Sequence, residues 1–183
     1  MKTLGAILAG GMSRRFGSDK AQARLSGRTL LDLALDALHG HCETRVIVGR
    51  AMDDFPTIDD WPRPGLGPLG GIAGALEHAE RHGFDQLLSI PVDCVNLPVN
   101  LGALLEPAPS YIANQPVIGL WPVASLAPLR AMLTEGRDLA VMAFARKIGA
   151  RPVLGAFGLP NINTRADLKR LEDEISSDIK RLT

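Results

Sequence analysis

The sequence predicts an α/β protein, a Rossmann-like three-layer domain on a mainly parallel sheet. Three observations carry that prediction. Largely apolar runs at 3–9, 45–48 and 86–90 each stop at a glycine or a proline, as strands buried on both faces do. Between them, apolar residues recur at helical spacing, so strands and helices alternate through the first hundred residues. Hydrophobic residues make up 46% of the chain but aromatics only 4%. A core of Leu, Ala, Val and Ile suits helices packed on a sheet better than a sandwich of short strands.

The elements follow in order. Residues 3–9 form the first strand, ending at Gly10-Gly11, and 10–20 form a loop rich in Gly, Ser, Arg and Asp. Leu30, Leu31, Ala34, Leu35 and Leu38 mark a helix face. Residues 45–48 are a second strand, Thr57-Ile58 a remnant of a third, and 61–71 a Pro/Gly loop. A helix covers 70–81, and the strand 86–90 is stopped by Pro91. A short helix at 98–105, with Asn96 as its cap, precedes β-like pieces at 111–113 and 117–121. Helices follow at 125–133 and 139–147, then a weak strand at 151–157. Thr164 caps a last helix to about residue 175, with Asp167 at its third position.

The 183 residues read as one domain, 1–183, with no repeat or linker. Lysine plus arginine and aspartate plus glutamate both total 20, which argues against broad nucleic-acid or membrane electrostatics. Cys42 and Cys94 are too few for a disulfide framework or a four-cysteine zinc site. The first apolar run is too short for a leader peptide, and no run reaches membrane-spanning length. A soluble, cytoplasmic protein is expected.

In parallel sheets ligands sit beyond the carboxyl ends of the strands. Three unusual segments lie there, at 10–20, 59–71 and 91–98, and should converge on one crevice. The first belongs to the string Leu8-Ala9-Gly10-Gly11-Met12-Ser13-Arg14-Arg15-Phe16-Gly17-Ser18-Asp19-Lys20. Glycines such as Gly10 and Gly11 let backbone N–H groups approach an anion, while Arg14, Arg15 and Lys20 add local positive charge. That content suits a nucleotide triphosphate. It is neither a Walker A loop nor a Gly-x-Gly-x-x-Gly fingerprint. An aspartate at a strand's end, as Asp93 is, suits a hard divalent cation, because Mg2+ takes one or two carboxylates plus phosphates and waters.

The string resembles the signature of the molybdenum cofactor guanylyltransferase family, Leu-Ala-Gly-Gly-x-Ser-x-Arg-Met/Phe-Gly-x-Asp-Lys, with Arg15, Gly17, Asp19 and Lys20 matching in place. Gly67-Pro68-Leu69-Gly70-Gly71 resembles the family's Gly-Pro-Leu-x-Gly, and Asp60 stands where the family has a nucleotide-binding aspartate. Residues 115–121 and Asn161-Ile162-Asn163-Thr164 resemble later family segments. The resemblance spans residues 5–168 and implies a fold of nucleotidyltransferase type. It implies transfer of GMP from GTP to molybdopterin with release of pyrophosphate, and Mg2+ as cofactor. Arg15, Lys20 and Asp93 are the implied catalytic residues. Leu8, Ala9, Gly10, Gly11, Lys20, Asp60 and Asp93 would hold the nucleotide, and Asp93 with Asn163 the metal. Partners in molybdenum cofactor delivery fit the same picture.

The chain departs from the family in three places: Gly49-Arg50 replaces an Asn after the second strand, Cys94-Val95 replaces Thr-Pro after the metal aspartate, and the stretch Pro109–Pro116 is shorter than the expected hairpin. A CTP-dependent or sugar-phosphate transferase therefore stays open, as does an inactive nucleotide-binding regulator. His78 and His82 have zinc-like spacing but no His-Glu-x-x-His motif, so they read as a solvated face. His39, His41 and Cys42 read as a helix-end cluster, and Cys94 as a buried thiol rather than a nucleophile.

Overall fold

The computed structural model describes residues 1–10, 16, 19–95, 97–136, 138–155, 162 and 164–182, without the side chains of 175, 176 and 178–182. Its first half holds β1 (Thr3–Leu8), β2 (Arg24–Leu25), β3 (Arg28–Thr29), α1 (Leu30–Ala37), β4 (Thr44–Val48), β5 (Thr57–Ile58), α2 (Pro68–Arg81) and β6 (Gln86–Pro91). The second half holds α3 (Leu101–Leu105), β7 (Ser110–Ile112), β8 (Gln115–Pro122), α4 (Leu126–Glu135), α5 (Val141–Lys147), β9 (Arg151–Val153) and α6 (Arg165–Leu182). Seven strands form one sheet in the order β5-β4-β1-β6-β8-β7-β9. Pairings among β5, β4, β1 and β6 are parallel, as is β7 with β9, whereas β8 runs antiparallel to both its neighbours.

Period-two alternation sorts the strand residues into two buried layers. Leu4, Ala6, Val46, Val48, Leu87 and Trp121 face α2, α4 and α5. Ile7, Ile47, Leu88 and Ile90 face α1 and α3. Helices therefore cover both sheet faces, which is the three-layer architecture the apolar strands require. Trp121 is fully buried, donates from Nε1 to Ser89 Oγ at 2.8 Å, and lies 5.4 Å from the Phe144 ring. A third cluster joins Phe16 of the glycine-rich loop to Leu25, Leu30, Ile162 and Leu171, so α6 packs beside that loop.

The expected cap at Thr164 is present, and a second at Thr29 was not anticipated. Thr164 Oγ1 accepts from Asp167 N at 3.1 Å while Asp167 Oδ2 accepts from Thr164 N at 2.8 Å. Thr29 and Asp32 make the same reciprocal box at the start of α1. Several boundaries differ from expectation. α2 starts at Pro68 in its first turn, where the missing N–H is harmless. α3 starts at Leu101 behind Asn100, and Asn96, the expected cap, lies outside the described residues. The part of the expected strand 151–157 beyond residue 155 lies outside them too. The β2–β3 hairpin was not anticipated; its turn, Ser26-Gly27, has φ of 51° and 84°, the signature of a type I′ connection. Among the described residues, no helix is long and apolar enough to cross a membrane.

The segment carrying Asp59 lies directly on α2. A Cβ on Gly74 would stand 2.1 Å from the Asp59 carbonyl oxygen. Replacing glycine by alanine inside a helix ordinarily stabilises by about 1 kcal/mol. Here the backbone clash outweighs that gain, since overpacking costs about 1–3 kcal/mol. Gly74→Ala is expected to lower the melting temperature by several degrees, measured by circular dichroism; a rise would show that the Asp59 segment moves freely off the helix.

Candidate active site

The carboxyl ends of β4, β1 and β6 are tied into one rim. Ala9 N donates to Val48 O at 3.0 Å, Val92 N to Leu8 O at 3.2 Å, and Gly49 N to Ile58 O at 2.8 Å. Immediately past the strands, Gly10 and Gly49 meet backbone to backbone. A Cβ on Gly10 would lie 3.0 Å from Gly49 Cα, and one on Gly49 would lie 2.7 Å from Gly10 Cα. Gly49 also has φ of +76°. Both the space and the dihedral therefore demand glycine here, which accounts for the absence of an Asn at this position. The departure is built into the packing of the two loops.

Asp60 joins the same rim. Its Oδ1 lies 3.3 Å from the position a Cβ on Gly49 would take and 3.5 Å from that on Gly71, while Leu8 Cδ2 lies 3.1 Å from the latter. Leu8, Gly10, Gly49, Asp60 and Gly71 thus pack closely together, with no side chain between Asp60 and the backbone of Gly49 and Gly71. Burial pushes the Asp60 carboxyl pKa upward, and the neighbouring charge of Asp59 adds to this; a hydrogen bond from the Gly65 backbone opposes it. Trp61 N donates to Gly70 O at 3.0 Å, and the Trp61 ring lies under the Arg130 guanidinium at 5.2 Å. Arg130 Nη2 in turn donates to Glu77 Oε1 at 2.7 Å. The loop holding Asp60 is thereby anchored to α2 and α4.

Lys20 and Asp93 close the other side. Lys20 opens a one-turn 3-10 helix, Lys20–Gln22, and its Nζ donates to Asp93 Oδ2 at 2.6 Å. Both side chains are mostly buried, with 14% and 11% exposure. Asp93 was expected to face an open crevice; it is instead nearly enclosed and ion-paired. It is not the cap of α3, whose N-cap is Asn100. Before the one-turn helix, Asp19 Oδ1 accepts from Ala21 N at 3.2 Å. The two Asp19 carboxylate oxygens also receive the Arg50 fork, Nη1 to Oδ1 at 2.6 Å and Nη2 to Oδ2.

The structure therefore brings together Leu8, Ala9, Gly10, Lys20, Asp60 and Asp93. The expected site residues Gly11, Arg15 and Asn163 lie outside the described residues. Arg50 was read only as part of a departure from the family and given no role, although its place just past a strand end was the available signal. Among the described residues, no group of three or more His, Cys, Asp or Glu gathers to hold a metal. A cation at Asp93 would need oxygens from a bound phosphate chain, which is how Mg2+ is commonly held. His78 and His82 stack at 3.9 Å between ring centroids, and His82 Nδ1 lies 2.8 Å from His78 O, away from this rim.

Comparison with known proteins agrees with this geometry. A family model described as the MobA-like NTP transferase domain matches residues 5–150. A molybdenum cofactor guanylyltransferase of Acidiphilium cryptum is 37% identical, covering 91% of this chain and 92% of that protein. One from Rhizobium leguminosarum is 35% identical, over 92% and 90%. Molybdopterin-guanine dinucleotide biosynthesis protein A from Archaeoglobus fulgidus superposes with a TM-score of 0.76 at 22% identity, covering 95% of this chain and 99% of its own. A 2-C-methyl-D-erythritol 4-phosphate cytidylyltransferase from Thermus thermophilus shares the fold with a TM-score of 0.64 at 14% identity, over 93% and 98%.

Cys94 sits beneath Asp93 and is 2% exposed. Burial pushes its thiol up from 9.0 to about 12, with the Asp93 charge adding to the effect. Cys42, packed against Gly5, is pushed up to about 11, again chiefly by burial. The folded state thus holds these protons more tightly than the unfolded chain. The stability this contributes is complete below pH 9 and is lost as pH climbs towards 11–12. Neither thiol is expected to react with Ellman's reagent at pH 8 until the protein unfolds, and Cys94→Ala should flatten the alkaline fall in stability. Rapid native labelling of Cys94 would show that the site floor is open.

Proposed function

The chain belongs to the family of MobA-like NTP transferase domains and is a nucleotidyltransferase; on that premise we propose that it transfers GMP from GTP to molybdopterin with the help of Mg2+, as a cytoplasmic enzyme. The observation that carries this reading is the Lys20–Asp93 pair, which joins the end of the glycine-rich loop to the end of a central strand. An anion-binding loop and a metal-binding carboxylate are the two parts this chemistry needs, and they touch here.

An oxygen of the acceptor phosphate attacks the α-phosphorus of the nucleotide. The bond from that phosphorus to the oxygen bridging to the β-phosphate breaks, and pyrophosphate leaves. The acceptor needs no strong base, so the residues mainly align the two phosphates and stabilise charge. Asp93 would hold Mg2+ through its carboxylate, and the ion would supply positive charge that offsets the charge developing on the phosphates. The residues present fit such an ion only together with a nucleotide, as the single carboxylate Asp93 implies. Lys20, with Arg15 and the backbone of Gly10-Gly11, holds the β- and γ-phosphates and the departing pyrophosphate. Asn163, which the resemblance offers, would be a second ligand to the ion.

The base rests at the spot lined by Leu8, Ala9 and Asp60. A carboxylate only accepts hydrogen bonds, and guanine's N1–H and N2–H₂ present two adjacent donors to it. Gly49 and Gly71 let backbone approach the Asp60 carboxylate closely, with no side chain in between. Pairing of this kind rejects a base that leaves the carboxylate unmatched.

Pyrophosphate release with molybdopterin and each NTP in turn tests the reading: GTP should be preferred, and a clear preference for CTP would overturn the base assignment. Asp93→Asn should cut turnover on the order of a hundredfold or more at saturating Mg2+ and GTP. EDTA should abolish wild-type activity and change the variant little further. A folded Asp93→Asn protein with wild-type turnover would remove Asp93 from the metal site.

A further inference from the structure

We propose that Arg50 is a positioning residue for the nucleotide phosphates, acting through Asp19 to hold Lys20 at the end of the glycine-rich loop. The inference rests on the reading that Lys20 grips those phosphates. Arg50 follows Gly49, whose positive φ turns the chain as it leaves β4. From there its guanidinium makes two near-parallel bonds to the Asp19 carboxylate. A fork on a carboxylate fixes orientation as well as distance, which a lysine in the same place would not do. Asp19 is at once the cap of the one-turn helix, through Ala21 N. Lys20 is the first residue of that turn, and its Nζ is 2.6 Å from Asp93.

Two charge-assisted contacts, Arg50–Asp19 from the end of β4 and Lys20–Asp93 at the end of β6, are thus joined through the backbone between the adjacent residues Asp19 and Lys20. The one-turn helix is too short to hold its own place: a single turn fixes several dihedrals for one hydrogen bond. Lys20 also carries a long, rotamer-rich side chain, and ordering it costs entropy. The Arg50–Asp19 fork fixes the backbone from which Lys20 projects, so that less of this ordering is left to nucleotide binding. The pair is partly exposed, at 23% for Arg50 and 43% for Asp19, so its effect is local and not a matter of overall stability.

The test uses Mg·GTP titrations of wild type, Arg50→Ala, Arg50→Lys, Asp19→Asn and the double variant Arg50→Ala/Asp19→Asn. Asp19→Asn keeps an oxygen to cap Ala21 and loses only the charge pair. Hydrogen exchange of the amides at 19–23 without nucleotide is the second readout, and melting curves control for folding. Arg50→Ala and Asp19→Asn should each weaken Mg·GTP binding by about three- to tenfold. The double variant should be no weaker than either, because both changes break one connection. Arg50→Lys should recover part of the affinity, exchange at 19–23 should quicken in each single variant, and melting temperatures should hold. Losses that add in the double variant, or an Asp19→Asn protein that binds as tightly as wild type while Arg50→Ala binds weakly, would overturn the proposal and make Arg50 a direct phosphate contact. Unchanged exchange in Arg50→Ala would also overturn it. If the wild type fails to bind Mg·GTP, the functional reading falls, and the exchange measurement still decides the Arg50 connection.

Discussion

The buried carboxylate of Asp93 sets the terms for the rest of the site. A charge removed from water needs a partner, and stripping one member from a buried pair costs about 3–5 kcal/mol. Asp93 is 8% exposed at the end of a central strand, flanked by the apolar Val92 and Cys94. Its partner is the ammonium of Lys20, which arrives from the far side of the glycine-rich loop. That requirement draws the loop's exit down onto β6, while the Gly10–Gly49 contact holds its entrance against β4. The loop is pinned at both ends by contacts that lie outside its own sequence. The same enclosure raises the Cys94 thiol to about 12 and removes it from any nucleophilic role at neutral pH.

The departures from the family signature at Gly49 and Cys94 have different weights. Gly49 stands where backbone passes backbone at a distance that admits no Cβ, so an Asn there would need the loop after β1 to move. The neighbouring Arg50 guanidinium is bonded to the Asp19 carboxylate. Cys94 is buried in the layer facing α1 and α3, where a small apolar group is what the packing needs. Neither change disturbs the Lys20–Asp93 contact. Asp60 itself is supported from behind, since Trp61 is held by Arg130 and Arg130 by Glu77.

Much of the fold was legible because buried strands and amphipathic helices leave strong periodic signals. The runs at β1, β4 and β6 could hardly be read otherwise, and Thr164 with Asp167 wrote the start of α6. The β2–β3 hairpin escaped because two-residue strands have no period to detect, although Ser26-Gly27 is a turn signal in its own right. β8 read as a shorter piece because its first residues are only half-buried, so its alternation is weak there. For the site, residues in a local string were visible, and those defined by a contact across the sheet were not.

The sequence by itself determined the layered α/β architecture, the glycine-rich loop and the aspartate that follows β6, because each is written in consecutive residues whose chemistry acts locally. Only the tertiary structure decided that Lys20 meets Asp93, that Gly10 lies on Gly49, and that Arg50 reaches Asp19. Those contacts join positions far apart in the chain, and they exist because parallel pairing of β4, β1 and β6 sets three strand ends side by side. Strand order is fixed by long-range burial and backbone hydrogen bonding, which no local pattern records.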